Sequence, residues 1–219
     1  MKNAIYFLLI ALAAFGAYYG FRAVTAPKYD EIVTTTIDPS QDPEQTEATD
    51  PTPLKLEFRD GEADMTPKAR YKIAAKVCGR QRYRDGWVAD VAPYDLCLSW
   101  GRLAIDDLKD KVKFSQDMRW YQYRVHTSSP FDIAYVAQHS ANTHILYADG
   151  KLLRAVSRLS KGDIIEMTGY LVFISGKYKG REIKWESSLR RDDTGRGACE
   201  VFYITSLQKG DKLYGKVEK

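Results

Sequence analysis

Lys161-Gly162-Asp163, followed by Ile164-Ile165-Glu166-Met167-Thr168-Gly169-Tyr170-Leu171-Val172-Phe173-Ile174, is the stretch whose reading decides the fold. Gly-Asp marks a turn, and the eleven residues after it are mostly β-branched, aliphatic or aromatic, the composition of a strand that packs on a pleated surface. Gly169 in its interior marks a bulge or a sharp bend, because a strand gives up side-chain packing there for nothing else. Ser175-Gly176-Lys177 is expected to begin a hairpin, with Ile183-Lys184-Trp185-Glu186 returning, and residues 200–204 read as a further strand.

Upstream, Tyr71-Lys72-Ile73-Ala74-Ala75-Lys76-Val77 and Arg119-Trp120-Tyr121-Gln122-Tyr123-Arg124-Val125 have the same character. Helical periodicity is brief. It occurs over residues 103–112 and 152–159, where Leu152, Val156 and Leu159 share one face. Many short strands with one or two short helices predict a mainly β fold, a compact β-barrel that is OB-like or a β-roll. A helix just before a Gly-Asp turn and a bulged strand favours the OB-like form, an analogy of fold that licenses no function.

Composition agrees with a folded domain. Of the 219 residues 44% are hydrophobic and 28% charged, which excludes a wholly disordered chain, and three cysteines exclude a disulfide-dense miniprotein. There is no P-loop, no dinucleotide fingerprint and no Cys-x-x-Cys pair, so nucleotide hydrolysis, nicotinamide chemistry and a structural zinc have no motif to rest on.

The N-terminus predicts a compartment. Nineteen uncharged, mostly apolar residues separate Lys2 from Arg22. As a helix they would span roughly 28 Å at ~1.5 Å per residue, close to a bilayer's hydrocarbon core. Residues 1–24 are read as a transmembrane signal-anchor, with Tyr6, Phe7, Tyr18, Tyr19 and Phe21 at its ends as an aromatic belt. The competing reading is a signal peptide cleaved at Ala11-Leu12-Ala13. Residues 25–67 hold six of the eight prolines and no apolar periodicity, and are expected to form an extended, disordered acidic linker. Residues 68–219 are expected to be the barrel-like domain. The expected localisation is the inner (cytoplasmic) membrane, single-pass, with this domain on the periplasmic side.

Charge follows these boundaries. Residues 30–64 carry eleven acids and two bases, which leaves residues 65–219 at +10 against a chain total of +4. A surface with that excess meets anions such as headgroups, acidic polymers or an acidic partner; alternatively it is solvated or screened by its own acidic segment. Nucleic acid enters only if the topology is inverted and the barrel faces the cytoplasm.

Three segments concentrate polar residues: Ala92-Pro93-Tyr94-Asp95-Leu96-Cys97-Leu98-Ser99-Trp100-Gly101 followed by Ser115-Gln116-Asp117-Met118-Arg119-Trp120-Tyr121, His139-Ser140-Ala141-Asn142-Thr143-His144, and Trp185-Glu186-Ser187-Ser188-Leu189-Arg190-Arg191-Asp192-Asp193-Thr194-Gly195-Arg196-Gly197-Ala198-Cys199-Glu200. Together they resemble an uncharacterised family of N-terminally membrane-anchored bacterial proteins that share S-A-N-x-H and S-S-L-x-R-x-D-T-G-x-G-A-C-E. The resemblance covers residues 93–207 and implies a fold and a compartment rather than a reaction. The chain departs from it at Ile145-Leu146-Tyr147-Ala148, where the family has Ile-Pro-Ala.

Read as chemistry, the segments support three uses. Asn142, His144, Ser187, Ser188, Arg190, Arg191, Asp193 and Glu200 form a candidate binding site for an anionic ligand or protein partner, arginines facing the anion. Alternatively, in the manner of a sortase-like hydrolase or transpeptidase, Cys199 attacks an acyl group, His144 moves the proton and Arg190 stabilises the oxyanion. Against this, Cys199 lacks the sortase Thr-Leu-x-Thr-Cys context, and a cysteine at the start of a strand is more often simply buried. A metal held by His139, His144, Asp192, Asp193, Cys199 or Glu200 matches no ligand spacing, and neither metal nor cofactor is expected. Asn142 and His144 equally suit a loop held by side-chain bonds to backbone. Trp100, Trp120, Tyr121 and Trp185 would stack on a ligand or fill the core. Of three possible disulfide pairings, Cys78 with Cys97 is favoured by proximity in the chain. The His139–His144 and Ser187–Glu200 segments are expected to converge on one side of the barrel, because buried polar groups need partners.

Overall fold

The structure, a computed structural model, describes residues 2–107, 111–190 and 199–217, with the side chains of 2–5, 8, 22 and 23 outside that description. In chain order the elements are α1 (Lys2–Val24), β1 (Glu31–Ile32), β2 (Glu44–Glu47), β3 (Leu54–Phe58), β4 (Gly61–Arg82), α2 (Trp87–Val91), β5 (Tyr94–Ser99), α3 (Arg102–Ile105), β6 (Val112–Asp117), β7 (Trp120–Val125), α4 (Ile133–Gln138), β8 (Ser140–Tyr147), α5 (Gly150–Val156), β9 (Ile164–Tyr178), β10 (Arg181–Glu186), β11 (Glu200–Lys209) and β12 (Lys212–Gly215). The fold is mainly β, as expected.

The strand pairings return to their starting point. β4 pairs antiparallel with β5, β5 antiparallel with β8, β8 parallel with β11, β11 antiparallel with β9, and β9 antiparallel with β4. Inside this ring the alternating residues Tyr71, Ile73, Ala75 and Val77 of β4 meet Leu96, Leu98, Ile145, Ile165, Met167, Leu171, Phe202 and Ile204. Leu152 and Val156 join that core from α5, and Leu159, predicted to continue the same helical face, joins it from the turn after the helix ends at Val156. Asp149 caps α5 by accepting from the backbone N–H groups of Lys151 and Leu152.

Gly169 is where the ring turns. A Cβ there would lie 2.0 Å from the Tyr203 carbonyl oxygen, so only glycine lets β11 approach β9 at this point, opposite a register shift between Ile204 and Ser206. The hairpin predicted at Ser175 turns later. β9 runs on to Tyr178, and the reversal uses Lys179 and Gly180, both with positive φ.

The stretch read as a disordered linker contributes to the sheet. β2 and β3 pair with the long β4, and β1 pairs with β12. Pro39 is buried, its carbonyl accepts from Gly101 N–H at 2.8 Å, and Asp42 Oδ1 accepts from the indole N–H of the fully buried Trp100 at 3.1 Å. No apolar periodicity is needed for this, because an edge strand is held by backbone hydrogen bonds to a ladder that already exists. Its acids also meet the domain's bases: Asp30 pairs with Lys151 and Glu44 with Lys72.

Two other expectations change. The helical pattern over residues 103–112 yields only the single turn of α3, and β6 begins at Val112. The Asn142–His144 stretch is no loop but the middle of β8, every residue of which is buried except half-buried Tyr147.

α1 is a helix, and its apolar side chains Phe7, Leu9, Ile10, Leu12, Phe15 and Phe21 are exposed rather than packed on the domain. Among the described residues no helix is long and apolar enough to cross a membrane.

Candidate functional site

Strand register assembles a polar row on the outer face of β5, β8 and β11. Asp95 faces His144 across the β5–β8 ladder, and Cys97 faces Asn142 one row along. On the other side of β8, parallel pairing sets Val201 beside His144 and Glu200 beside Thr143, which brings Cys199 next to Asn142. The amide Nδ2 of Asn142 lies 4.0 Å from Cys199 Sγ, at the outer limit of an N–H···S hydrogen bond.

A hairpin made by β6 and β7 covers this row. Its turn residues Met118 and Arg119 have φ of 47° and 70°, a left-handed pair that reverses the chain tightly and throws the Arg119 side chain back over the sheet. Gln116 donates from Nε2 to Asn142 Oδ1 at 2.8 Å, and Asn142 Nδ2 donates to the Arg119 carbonyl at 3.0 Å. Gln116 fits because the residue beneath it is Gly79, where a Cβ would come within 2.6 Å of its Oε1.

Arg119 is the hub. Its Nη1 donates to Asp95 Oδ1 at 2.7 Å and to the Ala92 carbonyl at 2.8 Å, while its guanidinium lies 4.0 Å from the centre of the Tyr83 ring. Asp95 is 0% exposed and shares the same Oδ1 with His144 Nδ1 at 2.9 Å. That second contact is short but bent away from good hydrogen-bond alignment, and Asp95 Oδ2 has no hydrogen-bond partner among the described residues. The guanidinium fixed against it offsets the cost of burying this carboxylate.

Above the row lies a pocket of about 260 Å³ lined by Val88, Arg119, Trp120, His144, Trp185, Glu186 and Cys199. Trp185 covers one face of the His144 ring, with centroids 4.9 Å apart, and packs edge-on against Trp87. Two larger hollows of about 660 Å³ each lie elsewhere: one along residues 33–37, the other between α5, β12 and residues 26–27. Both follow the N-terminal segment's path over the domain and hold none of the polar row.

The predicted site residues divide. Asn142, His144 and Glu200 are buried at the β8–β11 seam, and Cys199 is half-buried beside them. Ser187 and Ser188 are buried, but they fasten the chain rather than face a ligand. Ser187 Oγ accepts from Val201 N–H at 3.1 Å, and Ser188 N–H donates to the Cys199 carbonyl at 3.1 Å, which pins Cys199 in place. Arg190 is exposed and lies outside the pocket lining, its N–H donating to Ser188 Oγ at 3.0 Å. Arg191 and Asp193 lie outside the described residues, as does Asp192. His139 is part of a separate stack with Tyr135 and Trp100. Among the described residues no group of three or more His, Cys, Asp or Glu is arranged to hold a metal ion.

Two residues to which the sequence reading gave no role are central. Asp95 carried a signal, since a carboxylate inside the apolar run Tyr94-Asp95-Leu96-Cys97-Leu98 must be paired when that run is buried. Arg119 stood in the first polar segment, but its role was hidden because a hairpin turn decides where its side chain goes.

Cys78 and Cys97, the favoured disulfide, are both thiols. They are neighbours across β4 and β5 at a register shift, and Cys78 Sγ lies 3.1 Å from Ser99 Oγ. Hydrogen bonding from Cys97 holds the Cys78 thiol below its ordinary range, whereas burial pushes Cys97 well above it. Burial likewise raises the Tyr121 hydroxyl, which donates to the Ser140 carbonyl at 3.1 Å.

No family model, curated protein or solved structure matches this chain.

Proposed function

We propose that this is a membrane-attached, OB-like barrel whose exported domain binds a small ligand in the pocket between Trp120, Trp185, His144 and Arg119. The ring β4–β5–β8–β11–β9, with one helix between its third and fourth strands in chain order, supports the five-stranded Greek-key reading. The exposed apolar side chains all round α1 support attachment, since a helix that finds no partner in the domain is stabilised by lipid.

One observation carries the binding reading. The buried His144 and the guanidinium of Arg119 line a pocket walled by Trp120 and Trp185, the combination that holds a ligand's polar head and covers its body. The ligand is a small organic molecule with an anionic or strongly accepting head. The acid–base pairs between the N-terminal segment and the domain weigh against a broad anionic polymer, because they neutralise part of the basic surface.

The test is a ligand-observed NMR screen of small carboxylates and phosphorylated fragments against the full chain in detergent. Trp120 is 42% exposed, so Trp120→Ala removes a pocket wall with little effect on the core. Hits that bind the wild type and are lost in Trp120→Ala are expected. An empty screen, or hits unchanged by the variant, overturns the reading. Attachment is checked separately by carbonate washing of membranes, where full chain in the supernatant would overturn it.

A further inference from the structure

We infer that Cys199, His144 and Asp95 form a nucleophilic relay that makes the pocket a thiol-dependent acyl-transfer site, with an ester or thioester as substrate class. The inference rests on the pocket being a binding site and adds the chemistry done there.

The relay comes from register rather than from a motif. Asp95 and His144 are cross-strand neighbours, and Cys199 sits diagonally from His144 on the far side of β8, so three strands deliver three side chains to one face. His144 Nδ1 lies against the Asp95 carboxylate, and the ring's other nitrogen, Nε2, is on the opposite edge from that contact. Both His144 and Cys199 line the same pocket. This ordering of carboxylate, imidazole and thiol is what nucleophilic catalysis uses: the acid orients the ring, and the ring takes the thiol proton.

The surroundings fit that chemistry. Asn142 Nδ2 is the N–H group aimed at Cys199 Sγ, and an N–H donor stabilises a sulfur that carries negative charge. Trp185 covers a face of the imidazole and keeps water from it. Ser188 holds the Cys199 backbone, so the sulfur is positioned by the sheet. Arg119 neutralises Asp95, and Arg190 lies outside the pocket lining and has no place in the relay. His144 Nδ1 lies 2.9 Å from Asp95 without hydrogen-bond alignment, and catalytic hydrogen bonds often align only when a substrate closes the site.

The reaction balances as follows. His144 Nε2 takes the Cys199 proton before attack, and the thiolate sulfur forms a bond to the acyl carbon. The bond from that carbon to the leaving oxygen or sulfur breaks, and the leaving group takes the proton from His144. Water then attacks the thioester and loses a proton to His144. The S–C bond breaks and the thiol regains that proton, so an acyl compound and water become a carboxylic acid and an alcohol or thiol. Cys199 and His144 are catalytic residues in this scheme, and Asp95 is a positioning residue.

The test needs no identified substrate. Iodoacetamide alkylation of the Cys199 peptide is followed by mass spectrometry from pH 6.5 to 8.5 in the folded full chain, with the urea-unfolded chain as reference. An ordinary thiol with pKa ~8.5 is about 1% thiolate at pH 6.5, and the gain in thiolate outweighs the loss of nucleophilicity on lowering the pKa. The folded chain is therefore expected to react about fivefold faster than the reference at pH 6.5, with a nearly level pH profile. His144→Gln restores a rise of about tenfold per pH unit, and Asp95→Asn an intermediate slope. In parallel, p-nitrophenyl acetate should leave one acetyl group on the Cys199 peptide and none in Cys199→Ser. Wild-type alkylation no faster than the unfolded reference, or no acetylation of Cys199, overturns the proposal even if the two variants fail to fold. Neither measurement uses the fragments of the NMR screen, so the relay and the binding pocket fail separately.

Discussion

Replacing Arg119 by alanine should be among the most damaging single changes available on the outer face of the sheet. The guanidinium is the fixed cation beside Asp95, a carboxylate with no exposed side-chain surface. Removing one member of a buried ion pair costs about 3–5 kcal/mol, because the other charge is left without compensation. The Arg119 side chain is itself 21% exposed, so some water enters the space it vacates and the cost falls near the lower end, about 3 kcal/mol. The hydrogen bond to the Ala92 carbonyl and the stacking on Tyr83 are lost with it and contribute about 1 kcal/mol each at most. With a urea slope of about 2 kcal/mol/M, the midpoint should drop by roughly 1.5–2.5 M. Equilibrium urea unfolding of full chain in mild detergent, followed by tryptophan fluorescence, measures this directly. The pair should also behave asymmetrically. Asp95→Ala alone leaves a cation that can turn toward water, and added to Arg119→Ala it removes the orphaned carboxylate and should restore about 1–2 kcal/mol. A loss under ~1 kcal/mol for Arg119→Ala, or a double variant worse than the single one, would show that Asp95 is not the isolated buried charge described here.

Two further outcomes concern the N-terminal segment. Asp42→Ala removes the acceptor of the Trp100 indole N–H, and should cost about 1–2 kcal/mol, read as a shifted urea midpoint; no shift would mean that the segment is not docked through Asp42. Asp30 is held below the usual carboxylate range by Lys151 and by the Gly215 N–H, so its contribution is present above pH ~4 and is lost as pH falls through its folded value. Hydrogen exchange at the Gly215 amide should therefore accelerate, beyond the intrinsic rate, on acidification below pH ~4, and this acceleration should be absent in Asp30→Asn.

The two readings of residues 25–67 differ for a physical reason. Eleven acids in a proline-rich run argue for a self-repelling coil when the run is considered alone. The domain it meets carries the opposite charge, and the 22-residue β4 offers a ladder longer than its neighbours fill. Pairing therefore needs neither apolar periodicity nor tolerance of like charge. The polar motif around Asn142 misled in the opposite direction. Short polar side chains favour loops when they bond to their own backbone, but here they bond across strands, to Gln116 and to the carbonyl of Arg119.

The sequence by itself determined the local features. Residues 164–174 form a strand because their side chains are branched and aromatic. Gly169 lies at a bend because nothing larger fits there, Leu152, Val156 and Leu159 face the core because they recur at helical spacing, and residues 2–24 form a helix with an apolar surface. Each of these depends on neighbours within a few residues or on one glycine. Only the tertiary structure decided that Asp95, His144 and Cys199, drawn from three segments, share one face, and that Arg119 rather than Arg190 is the cation of the site. Cross-strand register and the sense of a hairpin turn set those distances, and both are fixed by closing the whole sheet on its core, a condition that no local window of the chain contains.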